Sequence, residues 1–375
     1  MTKPLNIQVH GWRGVSHSYA LVNQFQLVHW HQSANVAIEH IDMPFIMAHW
    51  QAGTNAAGFH AADLNLIQDT AQKITPQALY RIYAPFELNT PVELPTLTFA
   101  VTEFGLSTET YDQKLVNTYA EKGGLIHTPS RWSQQRLVAM GMPEEIIHVI
   151  PHAADDRYFF PMMPAVIEEN RQLLGYNSDD ILLFNVGTHN WNKGLDVLLT
   201  GFAKAKQLQP RLKLLLKDQR STYLINSEQY VKQTLENIGL MQEDILSAIR
   251  ILPAHLDLSQ LNALYNMADA YLTPYRAEGF NLPALEAQAC GTPVIATAGG
   301  ATDDFLSGPN FNPINGRYIE NANLKDDLQI NAYIEPDLTH LIEILRNLDR
   351  KQKPQQLPDL LNWPQVCENI CKLLN

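Results

Sequence analysis

The sequence predicts an α/β protein of two successive domains, each built on a parallel sheet. Three observations predict it. The chain has 375 residues, about twice one ordinary domain. Short apolar runs alternate with helical patterns, and strands joined through helices pair in parallel. The alternation breaks over residues 155–177, where Pro161 and Pro164 precede a polar end, and it restarts after Asp180. The linker is therefore placed at 158–177, between an N-terminal domain over 1–157 and a second domain over 178–361.

Each element follows in order. Asn6–His10 reads as a strand leading into a glycine loop with Gly11 and Gly14, then a helix from about Ser18 to Gln32. Val36–Ile38, Leu79–Tyr83 and Leu97–Thr102 are further strands; Tyr111–Lys122 and Ser133–Met140 are helical. The second domain repeats the pattern, with Ile181–Val186, a helix at about 194–207, Leu212–Lys217, Ile249–Leu252, Ala270–Thr273 and Pro293–Ala296. Trp363-Pro364 opens a short amphipathic helix at the C-terminus. In open α/β sheets, ligands bind outside the carboxyl ends of the strands, which singles out residues 11–18, 103–107, 187–193 and 278–282.

Composition narrows the function classes. The net charge of -12 argues against nucleic acid as the main partner. Residues 1–150 hold 8 Lys and Arg against 12 Asp and Glu, so an anionic bilayer would repel that half on average, leaving only local patches for peripheral membrane contact. Apolar stretches such as Ile181–Phe184 are too short to span a bilayer. Met1–Pro4 leads straight into a strand without a signal-peptide pattern, and a cytoplasmic enzyme is expected. Three cysteines, Cys290, Cys367 and Cys371, make no disulfide framework and fit apolar helix faces. Seven of the thirteen histidines fall in the first 60 residues, without metal-ligand spacing.

Residues 274–297 carry the most chemistry. Glu278 and Glu286 are separated by seven residues, with Gly279, Phe280, Asn281, Leu282 and Pro283 between them. Pro283 suits the first position of a short helix that Gly291 stops, and Val294-Ile295-Ala296 then reads as a buried strand. The N–H groups around residues 279–282 have no intrahelical partner, and with the helix dipole they make an anion site. Two carboxylates flanking a phosphate cradle suit a ligand with hydroxyls on both sides of its phosphates, as in a nucleotide sugar.

This segment resembles the donor-site signature of family 4 glycosyltransferases, which have the GT-B fold of two Rossmann-like domains facing each other across a cleft. Phe184-Asn185-Val186-Gly187 with Trp191–Leu199 resembles that family's strand, glycine and Lys-Gly-helix element. His127–Ser130 and Val149–Asp155 with Phe160-Pro161 resemble its interdomain segment, and Leu264–Tyr271 the helix and strand before the glutamate motif. The resemblance covers the C-terminal half in order and the N-terminal third weakly. It implies a retaining, metal-independent transfer of a sugar from a nucleotide-diphosphate sugar to an acceptor hydroxyl on a glycan, a lipid-linked or a small-molecule acceptor. It also implies that helix 362–375 joins the N-terminal domain. No cofactor is expected beyond the nucleotide sugar as co-substrate.

The resemblance gives the site residues their roles. Glu286 would hold the ribose hydroxyls and Glu278 a sugar hydroxyl. Lys193 falls where the family carries a phosphate-binding lysine; the plain alternative is a solvated lysine at a helix start, where the dipole disfavours a cation. Gly279, Phe280, Asn281 and Leu282 would cradle phosphate, and Gly14 with Ser16 would form the glycine loop near the donor. The family's arginine after the strand-ending glycine is absent: Thr188-His189-Asn190 follows Gly187. Thr188 can donate one hydrogen bond and Lys217, closing the next strand, can supply the charge; the alternative is weakened phosphate binding. Where the family often has a histidine near the sugar, this chain has Glu103, which would contact a sugar hydroxyl, accept the acceptor's proton, or cap a surface loop.

No metal is expected. Asp303-Asp304 and Asp326-Asp327 lack the context of the metal site of the other large glycosyltransferase fold. Gly11-Trp12-Arg13-Gly14 has the wrong spacing for a dinucleotide oxidoreductase, and Arg13 reads as a solvated loop arginine or a phosphate contact. Trp12 and His49-Trp50 are candidates for stacking an acceptor sugar, with core packing as the alternative. Other readings are a GT-B epimerase or phosphorylase, a non-catalytic nucleotide-sugar-binding GT-B subunit, and a plain doubly wound protein with the motif by chance. Base specificity is expected from backbone around Leu252-Pro253-Ala254.

Overall fold

The structure, a computed structural model, describes residues 4–53, 57–69, 73–88, 94–105, 112–188, 190–219, 223–224, 226–252, 255–323, 329–350 and 361–375. His189, Pro253 and Ala254 lie outside them. The chain forms two compact units: residues 1–155, 321–331 and 361–375 in one, 156–320 and 332–360 in the other.

The first unit runs β1 (Leu5–Gly11), α1 (Ser18–Gln32), β2 (Val36–Asp42), α2 (Ala61–Gln68), β3 (Ala78–Ile82), β4 (Thr96–Phe99), α3 (Gln113–Glu121), β5 (Gly124–Thr128), α4 (Arg131–Ala139) and β6 (Ile147–Val149). Its sheet has the order β2-β1-β3-β4-β5-β6, with parallel pairs. α1 starts where the His17 ring accepts the Tyr19 N–H. β4 stops three residues before the expected Thr102, since its pairing with β5 ends at Phe99 and His127.

The second unit holds α5 (Pro164–Leu173), β7 (Ile181–Val186), α6 (Leu195–Lys206), β8 (Leu212–Lys217), α7 (Ser227–Asn237), α8 (Glu243–Leu246), β9 (Ile249–Leu252), α9 (Leu258–Met267), β10 (Ala270–Thr273), α10 (Leu282–Ala289), β11 (Val294–Thr297) and β12 (Phe311–Ile314). Its sheet order is β12-β11-β10-β7-β8-β9. Ile181, Leu182, Leu183 and Phe184 are fully buried, the continuous apolar run of a strand covered on both faces. β13 (Gly316–Asn323) and β14 (Gln329–Pro336) pair as a two-stranded sheet, and α11 (Leu338–Arg346) follows. α11 packs on α6, where Leu338 and Leu341 close over Gly201.

One expectation changes. Residues 158–177 are not a bare linker: Pro164 opens α5, which packs on α9, and buried Arg171 donates to Met267 O and Asp180 O. Proline there starts a helix rather than breaking the chain, because the first helical N–H groups need no intrahelical partner. The C-terminal helix α12 (Trp363–Leu374) carries an Asn362–Gln365 capping box and packs on α1, with the Trp363 and Phe25 rings stacked at 5.3 Å. Among the described residues, no helix is long and apolar enough to cross a membrane.

Candidate active site

In the second sheet β10 lies beside β7, with Tyr271 opposite Phe184. The loops leaving these strands are joined by backbone. The N–H groups of Arg276 and Ala277 donate to Asn192 O at 2.7 and 3.2 Å, and Asn192 Nδ2 donates to Ala277 O at 3.2 Å. Gly194 has φ +67°, and a Cβ there would lie 1.9 Å from Pro274 O. Only glycine lets the loops approach this closely in that conformation.

This junction fixes the acid and the base. Lys193 ends a single turn, Trp191–Lys193, just before α6. Its Nζ donates to Glu278 Oε2 at 2.8 Å, with 24% of the lysine side chain and 11% of the glutamate exposed. The cation at an N-terminal helix end, unfavourable by dipole alone, is therefore matched by a half-shielded carboxylate. A charge-assisted hydrogen bond in such a setting is roughly twice as strong as a neutral one.

Glu286 follows a helix start one residue earlier than expected. α10 begins at Leu282, so Pro283 is its second residue and Glu286 lies in the second turn. It is buried and accepts from Tyr265 Oη at 2.7 Å. Burial pushes its pKa up to about 8, against the hydrogen bond from Tyr265. Burial, followed by the Glu286 charge, raises the Tyr265 phenol well above its usual value. Tyr271 lies in the field of both carboxylates; burial and then Glu278 raise its pKa, and its hydroxyl donates to Val186 O at 3.3 Å.

Asn281 caps α10 from the left-handed region, φ +74°. Its Oδ1 accepts from Ala284 N at 3.3 Å and its Nδ2 donates to Thr273 Oγ1 at 3.1 Å. Pro283 has no N–H, and that of Ala284 is held by Asn281. Phe280 and Leu282 are buried, and the Phe280 ring lies 4.8 Å from that of Phe305. These two side chains seat the loop.

Thr188 is buried one residue past Gly187, and Gly187 N reaches Lys217 O at 3.5 Å. Lys217 pairs in register with Val186 at the end of β8, and burial lowers its pKa. The cation thus stands one strand over from the missing arginine.

Gly14, Ser16 and Glu103 belong to the other unit. Gly14 has φ +74°, and a Cβ on it would meet Gly53 O at 2.7 Å, a packing reason for glycine in itself. Ser16 and Glu103 are half-buried, and the Glu103 carbonyl accepts from Trp132 Nε1 at 2.5 Å. Trp12 and Trp50 do not offer faces for stacking. Trp12 is fully buried among His17, Tyr19, Phe45 and Trp50, and its Nε1 donates to Pro44 O. His49 is exposed. Arg13 pairs with Asp42 and donates to Ile67 O. Among the described residues, no three His, Cys, Asp or Glu side chains form a metal-holding group.

Sequence reasoning missed Asn192, Arg276 and the pairing of Tyr265 with Glu286. Each is a contact between segments far apart in the chain. The one signal available was a polar residue inside an otherwise apolar run.

With this geometry in hand, the comparisons with known proteins locate the chain. A family model described as Glycosyl transferases group 1 matches residues 166–326. The mannosylfructose-phosphate synthase of Agrobacterium fabrum is 30% identical over 166 residues, 43% of this chain and 34% of that protein. The D-inositol 3-phosphate glycosyltransferase of Segniliparus rotundus is 30% identical over 201 residues, 52% of this chain and 40% of that protein. The matches thus span well under half of these curated relatives. The sucrose-phosphate synthase of Thermosynechococcus elongatus superposes with a TM-score of 0.60 at 16% identity, over 98% of both chains. Anabaena HepE, solved with UDP and glucose, superposes with a TM-score of 0.55 at 16% identity, over 81% of this chain and 83% of its own. These likenesses establish the α/β fold as GT-B, with two Rossmann-like sheets.

Proposed function

We propose that this protein is a glycosyltransferase that moves a sugar from a nucleotide-diphosphate sugar to an acceptor hydroxyl, retaining configuration and using no metal. The observation that carries this is the Lys193–Glu278 contact at the carboxyl ends of β7 and β10. A cation for the diphosphate and a carboxylate for a sugar hydroxyl stand side by side, the carboxylate four residues before the helix that begins at Leu282. Support comes from the group 1 family match over this segment and from relatives named as sugar transferases.

The roles follow from chemistry. The bond from the anomeric carbon to the diphosphate oxygen breaks, and the negative charge left on the diphosphate is met by Lys193, Lys217 and the N–H groups of 279–282. Thr188 donates one further hydrogen bond. The acceptor oxygen bonds the anomeric carbon on the face that the diphosphate leaves, and its proton passes to a phosphate oxygen. Glu278 accepts a hydroxyl of the transferred sugar, and Glu286 accepts from the ribose. Gly14, Ser16 and Glu103 act from the acceptor-binding unit. The acceptor is a glycan, a lipid-linked sugar or a small molecule, and the reaction is cytoplasmic.

The test is transfer from a panel of nucleotide sugars to a panel of hydroxyl acceptors. Glu278→Ala should fold normally and lose about 10²–10³ of the rate, the usual cost of one preorganised charge contact. A near-wild-type rate would refute the assignment.

A further inference from the structure

Arg276 sits two residues before Glu278, and its side chain is only 7% exposed. Its Nη1 and Nη2 donate to Asp196 Oδ1 and Oδ2, both at 2.8 Å. Nε and Nη2 donate to Glu335 Oε2 and Oε1 at 2.8 and 3.1 Å. Nη1 also reaches Trp191 O at 3.0 Å, and the guanidinium stands 5.1 Å from the Trp191 ring centre. Burial alone would disfavour the charge; the two carboxylates overrule it and raise the pKa.

The partners of this side chain lead to the site. Trp191 and Asp196 flank Lys193 in sequence, two residues before it and three after. Arg276 N holds Asn192 O, and Arg276 O accepts from Ile334 N at 2.9 Å on β14. One arginine therefore ties the root of Lys193, the root of Glu278 and strand β14 into a single piece. Its single positive charge also offsets one of the two negative charges of Asp196 and Glu335, which would repel a diphosphate.

We infer that Arg276 is a positioning residue for the diphosphate, acting through Lys193; this rests on the reading of Lys193 and Glu278 as donor-binding groups. Its two bidentate contacts need the planar fork of arginine, which lysine cannot supply. Arg276→Lys keeps the charge and loses the fork, so it separates positioning from simple neutralisation.

The experiment is calorimetric binding of UDP, GDP and ADP to wild type, Lys193→Ala, Arg276→Lys and the double variant, with thermal melts alongside. For the diphosphate that binds wild type best, Lys193→Ala should weaken binding at least tenfold, and Arg276→Lys by about tenfold, the range of a lost bidentate charged contact. The double variant should be no more than about threefold weaker than Arg276→Lys alone, because a displaced lysine has little left to lose. Equal binding by Arg276→Lys and wild type, or losses that multiply in the double variant, would make Arg276 a structural residue only. If wild type binds none of the three, or if Lys193→Ala binds as wild type does, the donor-site reading fails and the inference falls with it. Should Arg276→Lys not fold, Asp196→Asn takes its place in the same cycle, with the same pattern expected.

Discussion

Lys193 Nζ donates to Glu278 Oε2 at 2.8 Å across 85 residues of sequence. Each group therefore offsets the other's charge. On the proposed function, a diphosphate arriving at Lys193 would compete with Glu278 for the ammonium, and the carboxylate would then turn to a sugar hydroxyl. That exchange is the proposal's consequence for the ion pair.

Glu278→Gln separates the two halves of this exchange. One negative charge beside Lys193 is removed, so a nucleoside diphosphate without its sugar should bind several-fold tighter than to wild type. Transfer from the complete nucleotide sugar should still fall by about 10²–10³. Titration calorimetry and a transfer assay on one preparation read both numbers. Weaker diphosphate binding by the variant would contradict the exchange.

Gly194 tests the junction rather than the charges. Alanine there would put its Cβ on Pro274 O and force a residue with a side chain to φ +67°. Gly194→Ala should lower stability by about 1–3 kcal/mol and should weaken nucleotide binding further than the loss of stability explains. Denaturant midpoints and calorimetry check it; full stability with full binding would mean that the loops are not held as described.

Glu286 gives a signed pH dependence. Its folded pKa of about 8 lies above its ordinary value of 4.5, so the folded state holds the proton more tightly than the unfolded one. The stabilisation is complete below pH 4.5 and is lost as pH rises through about 8. Glu286→Gln, which keeps a neutral acceptor for Tyr265, should flatten melting temperature against pH over this window and should exceed wild type in stability above it. If the ribose hydroxyls need the carboxylate, nucleotide binding near pH 7 should also release a proton, seen as a buffer-dependent binding enthalpy. A variant as pH-sensitive as wild type would contradict the burial of Glu286.

The first unit should respond to acid in the opposite sense. His127 is fully buried, bonded to Tyr80 Oη and Ile150 O, and burial lowers its pKa to about 4 from 6.5. His40 is likewise lowered by burial, to about 3. Their neutral forms are the folded ones, so stability is present above pH 6.5 and is lost as pH falls toward 4. Backbone hydrogen exchange at pH 7 and 4.5 should show β3 and β5 losing protection. Retained protection at the lower pH would contradict it.

The strands were legible in the sequence because their apolar runs are continuous: β7, β8, β9 and β10 run over the expected residues. Lys193 and Glu278 were each picked out in separate motifs, but their contact was not. Other parts had no local signal. β13 buries none of its residues and resembles a loop; β14 is the exception and did carry a signal, the alternation of buried Ile330, Ala332 and Ile334 with half-exposed residues, which was overlooked. α5 was read as linker because Pro164 opens it. The burial of Glu286 against Tyr265 and the Arg276–Asp196 fork join segments that no periodicity connects. Trp12 was offered as a stacking surface, yet its own neighbours enclose it.

The most direct test of the donor site is thermal stability against nucleoside diphosphates and nucleotide sugars, each with EDTA and with Mg²⁺. A ligand at about 100 times its dissociation constant adds about 2.7 kcal/mol to the folded state. The account expects a clear shift with one nucleotide, equal in EDTA and in Mg²⁺, and lost in Lys193→Ala. No shift with any nucleotide, or a shift that requires Mg²⁺, would contradict it.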